Sequence, residues 1–127
     1  MSFPDPLALK NSSAAAVSLT RRLPIPNGNR YTDVASTPTK NTSCDIRTVY
    51  TPAKSGKDAY NRSIATFSIK RVDGQEVEHT GSLSLSLVRP LNVDITDADM
   101  ADLFAMLSEF LIAASGDYKT RFMRNEV

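Results

Sequence analysis

The sequence predicts an α+β fold: a series of antiparallel strands followed by helix. Three observations carry this. Up to about residue 95 the chain consists of short stretches separated by turn signals, several with apolar and polar residues in alternation. Beyond that point apolar residues recur at helical spacing. The order, strands first and helix last, points to α+β and not to an alternating parallel sheet.

Residues 7–10 and 15–22 flank the polar Asn11-Ser12-Ser13, which reads as a hairpin. Pro24 to Asn29, with Pro26-Asn27-Gly28 at its centre, is a strong turn signal. A third strand is expected over 30–36, and a proline-containing turn over 37–41. The fourth strand is expected over 42–51 and the fifth over 60–72, with a polar connection over 52–58. Asp73-Gly74 suits a two-residue hairpin, since both residues tolerate positive φ. A sixth strand is expected over 75–88, with an interruption near Gly81 and Pro90 ending it.

The helix begins at Thr96, with Asp99 placed three residues on as in a capping box. Asp97, Asp99 and Asp102 crowd its first turns, where the macrodipole favours negative charge. Met100, Leu103, Phe104, Leu107, Leu111 and Ala114 form one apolar stripe. Gly116 suits a C′ position, and a shorter second helix is expected over 118–124. Met106, Phe110 and Ala113 form a second apolar row. One stripe suffices to pack on a sheet. The second row therefore calls for another cover, and in a chain of 127 residues a partner subunit is the expected one.

Composition excludes several classes. No apolar run approaches the length of a membrane span, and the first ten residues lack a secretory pattern, so the sequons at Asn11, Asn41 and Asn61 are read as chance. Cys44 is the only cysteine and His79 the only histidine, which rules out an internal disulfide and a four-ligand zinc site. No nucleophile–base arrangement or glycine-rich phosphate loop is visible, so no enzyme, cofactor or small-molecule substrate is expected. Net charge is +1, but residues 1–72 hold eleven Lys/Arg against four Asp/Glu, and residues 73–127 hold four against ten. Such an asymmetry can set opposite charge on opposite faces.

Alternation in three strands defines a face. In the fourth strand Cys44, Ile46 and Val49 are apolar, while Ser43, Asp45, Arg47 and Thr48 are polar. Phe67 and Ile69 alternate with Thr66, Ser68 and Lys70, and Leu83, Leu85 and Leu87 with Ser82, Ser84 and Ser86. One face is then covered, with the helix as its cover, and the other is open and lined with hydroxyls, Arg47 and Lys70. Cations contact phosphates, and hydroxyls reach bases and sugars. A plain solvated sheet face is the competing reading, and Asp45 weighs towards it.

Thr42-Ser43-Cys44-Asp45-Ile46-Arg47 and Phe67-Ser68-Ile69-Lys70 resemble two strands of the coat proteins of single-stranded RNA bacteriophages. So do the Pro26-Asn27-Gly28 turn, the alternating strand ending at Pro90, and the lead of 92–97 into the helix. The resemblance covers nearly the whole chain. It implies an N-terminal hairpin over 1–25, a five-stranded antiparallel sheet over 26–94, and two helices over 95–127 that interlock in a homodimer, all one domain. It implies assembly into an icosahedral capsid in the bacterial cytoplasm and packaging of a single-stranded RNA genome. Carried over by motif, the RNA-binding candidates are Ser43, Asp45, Arg47, Ser68 and Lys70. Ser82 and Ser84 match more loosely, and Arg62 is added as a phosphate contact. Repression of translation through an RNA hairpin is a further implication.

Two departures stand out. Asp45 occupies a place where the family commonly has a small hydroxyl residue; it can accept from a cytosine amine. The loop after the fifth strand looks short where the family's is long. Two alternatives use the same elements: a small dimeric RNA-binding regulator that forms no shell, and a structural dimer with a solvated sheet. Particle size separates the first from a capsid protein, and co-purified nucleic acid separates the second.

Overall fold

A computed structural model describes residues 3–91 and 94–126, the Ala114 side chain excepted. The expected lead over 92–97 and the last member of the helical stripe thus fall partly outside the described residues. The chain divides into two compact units, residues 1–91 and 92–127.

The first unit is one antiparallel sheet of six strands in chain order: β1 Leu7–Lys10, β2 Ala16–Ile25, β3 Gly28–Asp33, β4 Lys40–Thr51, β5 Tyr60–Val72 and β6 Glu78–Pro90. All six strands expected from the residues are present. The division into a hairpin and a separate five-stranded sheet needs correction, because β2 pairs with β1 on one side and β3 on the other. The hairpin is the edge of the same sheet.

Local chemistry explains the turns. Asn11 Oδ1 accepts the amides of Ser13 and Ala15, closing the β1–β2 turn. Between Ile25 and Gly28, which pair, Asn27 takes φ 62°, a conformation asparagine tolerates. A Cβ at Gly28 would run into the Ile46 carbonyl and stand 2.7 Å from the Arg47 Cα, so only glycine fits there. Its absence of a side chain starts β3 two residues earlier than expected. Pro24 sits inside β2, but β1 pairs only with residues 16–19, so no ladder bond is lost on that side.

The β5–β6 turn is longer than the expected two residues. Val72 pairs with Glu78, and Asp73 organises the span between them. Its Oδ1 accepts the amides of Gln75 and Val77, and Glu76, not Gly74, takes the positive φ of 62°. A side-chain cap thus replaces the Asp-Gly turn. Strand β6 begins at Glu78 in consequence and runs through Gly81 without interruption.

The second unit is helical. Assigned helix α1 spans Asp97–Met123. Thr96 caps it as a full capping box: its hydroxyl accepts the Asp99 amide, and Asp99 accepts the Thr96 amide at 2.8 Å. Ser115 and Gly116 break the run with φ 57° and 88°. The chain folds back there, because the Phe110 ring lies 6.4 Å from Phe122. Twelve residues of unbroken helix would separate them by about 18 Å. The two expected helical segments are therefore present, with Gly116 at the break.

Candidate nucleic-acid interface

In an antiparallel ladder, residues directly opposite one another project from the same face. Ser43 pairs with Ser68, which pairs with Ser82. Asp45 pairs with Thr66, which pairs with Ser84. Lys70 lies two residues beyond Ser68, Arg47 two beyond Asp45, and Arg62 opposite Val49. The register thus brings Ser43, Asp45, Arg47, Arg62, Ser68, Lys70, Ser82 and Ser84 to one face. Arg62 belongs with the rest.

One assignment is corrected. Val49 lies on this polar face with Arg47 and Arg62, and Thr48 lies on the other, opposite Ser63. Strict alternation prevails over the apolar character of the valine.

The register also adds residues that sequence reasoning missed. Arg30 pairs with Asp45 and Thr32 with Ser43. Alternation around the buried Tyr31 was the available signal for Arg30 and Thr32. The Arg30 guanidinium grips both Asp45 oxygens, Nε to Oδ1 and Nη2 to Oδ2, each at 2.8 Å. That bond, opposed by partial burial, holds the Asp45 carboxyl below the usual carboxylate range; the charges of Arg30 and Arg47 add to the effect. The same bond raises the Arg30 pKa. Asp45 is therefore a neutralised carboxylate, and its presence on the face no longer repels phosphate strongly.

The other cations differ in availability. Lys70 Nζ lies 3.0 Å from Glu78 Oε1. Arg62 Nε donates to Ser86 Oγ at 3.0 Å. Thr66 and Ser84 share a hydroxyl bond at 3.0 Å. Arg47 is exposed and forms no ion pair among the described residues. Among the described residues the face offers the Arg47 guanidinium outside any ion pair, the Arg62 guanidinium held only by a hydroxyl, and a field of hydroxyls between them. No group of acidic, histidine or cysteine side chains suited to a metal occurs among the described residues.

The opposite face is apolar. Leu7, Leu19, Tyr31 and Cys44 are its buried side chains among the described residues, with Val17 and Ile46 packed against them. Burial pushes the Cys44 thiol up to about 11, with the nearby Asp45 charge adding to it. Towards β5 and β6 this face is open: Phe67, Ile69, Leu83 and Leu85 are exposed, Leu83 at 64%. A groove of about 410 Å³ runs here, lined by Leu9, Val17, Leu19, Phe67, Ile69 and Leu83 among others. In the helical unit, Met106, Phe110 and Ala113 line an apolar concavity of about 420 Å³ with Ala105, Glu109 and Tyr118. Met106 is 60% exposed.

No family model matches the chain, and no curated protein matches it. Solved structures do. A virus-like particle of bacteriophage GQ-907 aligns over 99% of this chain and 96% of its own, at 12% identity and a TM-score of 0.71. The coat protein of bacteriophage EMS014 aligns over 89% and 75%, at 20% identity and a TM-score of 0.66. A virus-like particle of Beihai levi-like virus 21 aligns over 99% and 97%, at 8% identity and a TM-score of 0.64. At these identities the likeness establishes a shared fold.

Proposed function

We propose that this chain is the coat protein of a single-stranded RNA bacteriophage, a non-enzymatic subunit that dimerises, builds a capsid and packages RNA against the polar face of its sheet. The observation that carries the reading is the near end-to-end likeness to chains that form virus-like particles, the first at a TM-score of 0.71 over 99% of this one. The whole chain, residues 1–127, acts as one subunit in this reading.

Two further features support it. Strand β6 is an edge of thirteen residues with nothing paired on its outer side among the described residues. Long open edges invite a second strand. A second copy added there would extend the sheet, and its helices would cover the exposed leucines of β6. Met106, Phe110 and Ala113 are the side chains assigned to that contact. On the polar face, Arg47 and Arg62 meet phosphates, Lys70 adds a third cation once Glu78 releases it, and the serines with Asp45 contact bases and sugars. Repression of translation would use the same face on an RNA hairpin.

Size-exclusion chromatography of the protein expressed alone in bacteria, read at 260 and 280 nm, tests this. Elution near the void volume with a strong 260 nm signal, and closed particles under the electron microscope, is the expected result. A nucleic-acid-bound dimer that forms no particles would overturn the capsid assignment and favour the RNA-binding regulator. A dimer without nucleic acid would remove both.

A further inference from the structure

The Arg30–Asp45 pair leaves one edge of a guanidinium open. Arg30 of β3 lies opposite Asp45 of β4 on the polar face. Its Nε and Nη2 each donate to one carboxylate oxygen at 2.8 Å. The contact is side-on, and two parallel bonds between planar groups fix the plane of the guanidinium. A guanidinium carries five N–H donors. The end-on edge, Nη1 with the outer hydrogen of Nη2, therefore remains. No acceptor meets it among the described residues, and the Arg30 side chain is 45% exposed. Both Asp45 oxygens are already engaged by the arginine. The pair thus shows solvent two coplanar donors on a group whose charge is cancelled by its neighbour. On the other side of Arg30, Leu23 of β2 lies opposite it on the same face and is 55% exposed. Thr66 and Ser84 continue the row beyond Asp45 with hydroxyls.

We infer that Arg30, locked by Asp45, reads an unpaired guanine in single-stranded RNA through O6 and N7, an inference that rests on the RNA-binding reading above. Charge decides between a base and a phosphate. A phosphate at this edge gains little, because the Asp45 carboxylate in the same contact repels it. A base is neutral and feels only the directed donors. Phosphates are better served by Arg47 and Arg62, which form no ion pair among the described residues. The donor pattern then selects the base. Two coplanar donors need two adjacent acceptors, and guanine presents O6 beside N7. Adenine sets N7 beside an amine, and on the same edge uracil offers a lone O4 and cytosine an amine. The remaining two-acceptor edge, O2 and N3 of cytosine, belongs to a single ring; the second ring of guanine sets more apolar area against Leu23. The base must be unpaired, since the major groove of an RNA helix is too narrow for side chains to read. Arg30 is then the specificity-determining residue and Asp45 the positioning one.

The test titrates the full-length protein, in the fraction smaller than shells, against fluorescent RNAs read by anisotropy. The probes are a short oligouridine and its variants with one central guanosine, adenosine, cytidine or 7-deazaguanosine, which lacks N7. The guanosine oligomer should bind about tenfold tighter than oligouridine, with the same salt slope, because no phosphate contact is added. The 7-deazaguanosine oligomer should lose most of that gain. Arg30→Lys keeps a charge beside Asp45 but not the planar fork. It should bind oligouridine as the wild type does and lose the guanine preference. Asp45→Asn releases the guanidinium, so it should bind every oligomer more tightly and discriminate less. Circular dichroism checks that both variants fold. Equal wild-type affinity for the four bases, or a preference for a base other than guanine, would overturn the inference while leaving RNA binding intact. So would a guanine preference that survives in Arg30→Lys. A wild-type chain that binds none of the oligomers would overturn the RNA-binding reading itself, and the inference with it.

Discussion

Arg30 holds Asp45 through two bonds of 2.8 Å, and the pair sits in the middle of the polar face. Removing Arg30 leaves Asp45 as an uncompensated negative charge where RNA phosphates would approach. Arg30→Ala should therefore weaken RNA binding more than Lys70→Ala, since Lys70 is already engaged by Glu78; filter binding over a salt series would show it. Arg47→Ala should reduce the steepness of the salt dependence by about 0.7, the release expected for one phosphate contact on a single strand. The same pair gives a pH signature. The Asp45 pKa is lowered on folding, so its contribution to stability is present above about pH 4 and is lost as pH falls through the lower folded value. The stability difference between wild type and Arg30→Gln should shrink in acid melts below that pH. Cys44 is fully buried with its thiol raised to about 11, so it should resist alkylation at pH 8 until the protein is unfolded. The membership of the polar face was legible from alternation for Ser43, Asp45, Ser68 and Ser82. The Arg30–Asp45 pairing was not, because a guanidinium beside a carboxylate is a cross-strand contact that depends on register.

At the scale of elements, the strands follow from alternation and the turns from local side-chain chemistry. Gly28 is the clearest constraint: a Cβ there would meet the backbone of β4. Gly28→Ala should destabilise the protein by several kcal/mol, of order 2–4, read as a lower denaturant midpoint. Leu19 is 1% exposed, so Leu19→Ala should cost about 2–5 kcal/mol. In the helical unit, Phe110 contacts Tyr118 at 5.9 Å as well as Phe122, and it also lines the apolar concavity. Phe110→Asp should abolish dimers by setting a charge in an apolar contact; a variant that still sediments as a dimer would move the interface elsewhere. The break at Gly116 was legible because glycine after an apolar stripe marks a helix end. The five-residue β5–β6 turn was not, because Asp73 caps it with its own side chain, and Asp-Gly reads identically in a shorter turn.

For the whole molecule the informative fact is what stays open. Only Leu7, Leu19, Tyr31 and Cys44 are buried among the described residues, while Leu83, Leu103 and Met106 are more than half exposed. So thin a core is a weak source of stability for a sheet of this width. A second copy that covers the groove and the helical rows would bury them, and folding would then depend on protein concentration. Thermal melts of the sub-shell fraction should move to higher temperature as concentration rises. A midpoint independent of concentration would argue against an obligate dimer.

The sequence by itself determined the order of the elements, the capping of the helix, its break at Gly116 and the polarity of the sheet faces. These depend on residues close together in the chain, where period and turn chemistry act directly. Tertiary structure alone decided that the hairpin joins a single six-stranded sheet and that Arg30 neutralises Asp45. Each of these depends on which residues of different strands lie opposite one another. A shift of one residue in register would move every side chain to the other face, and no local pattern specifies that register.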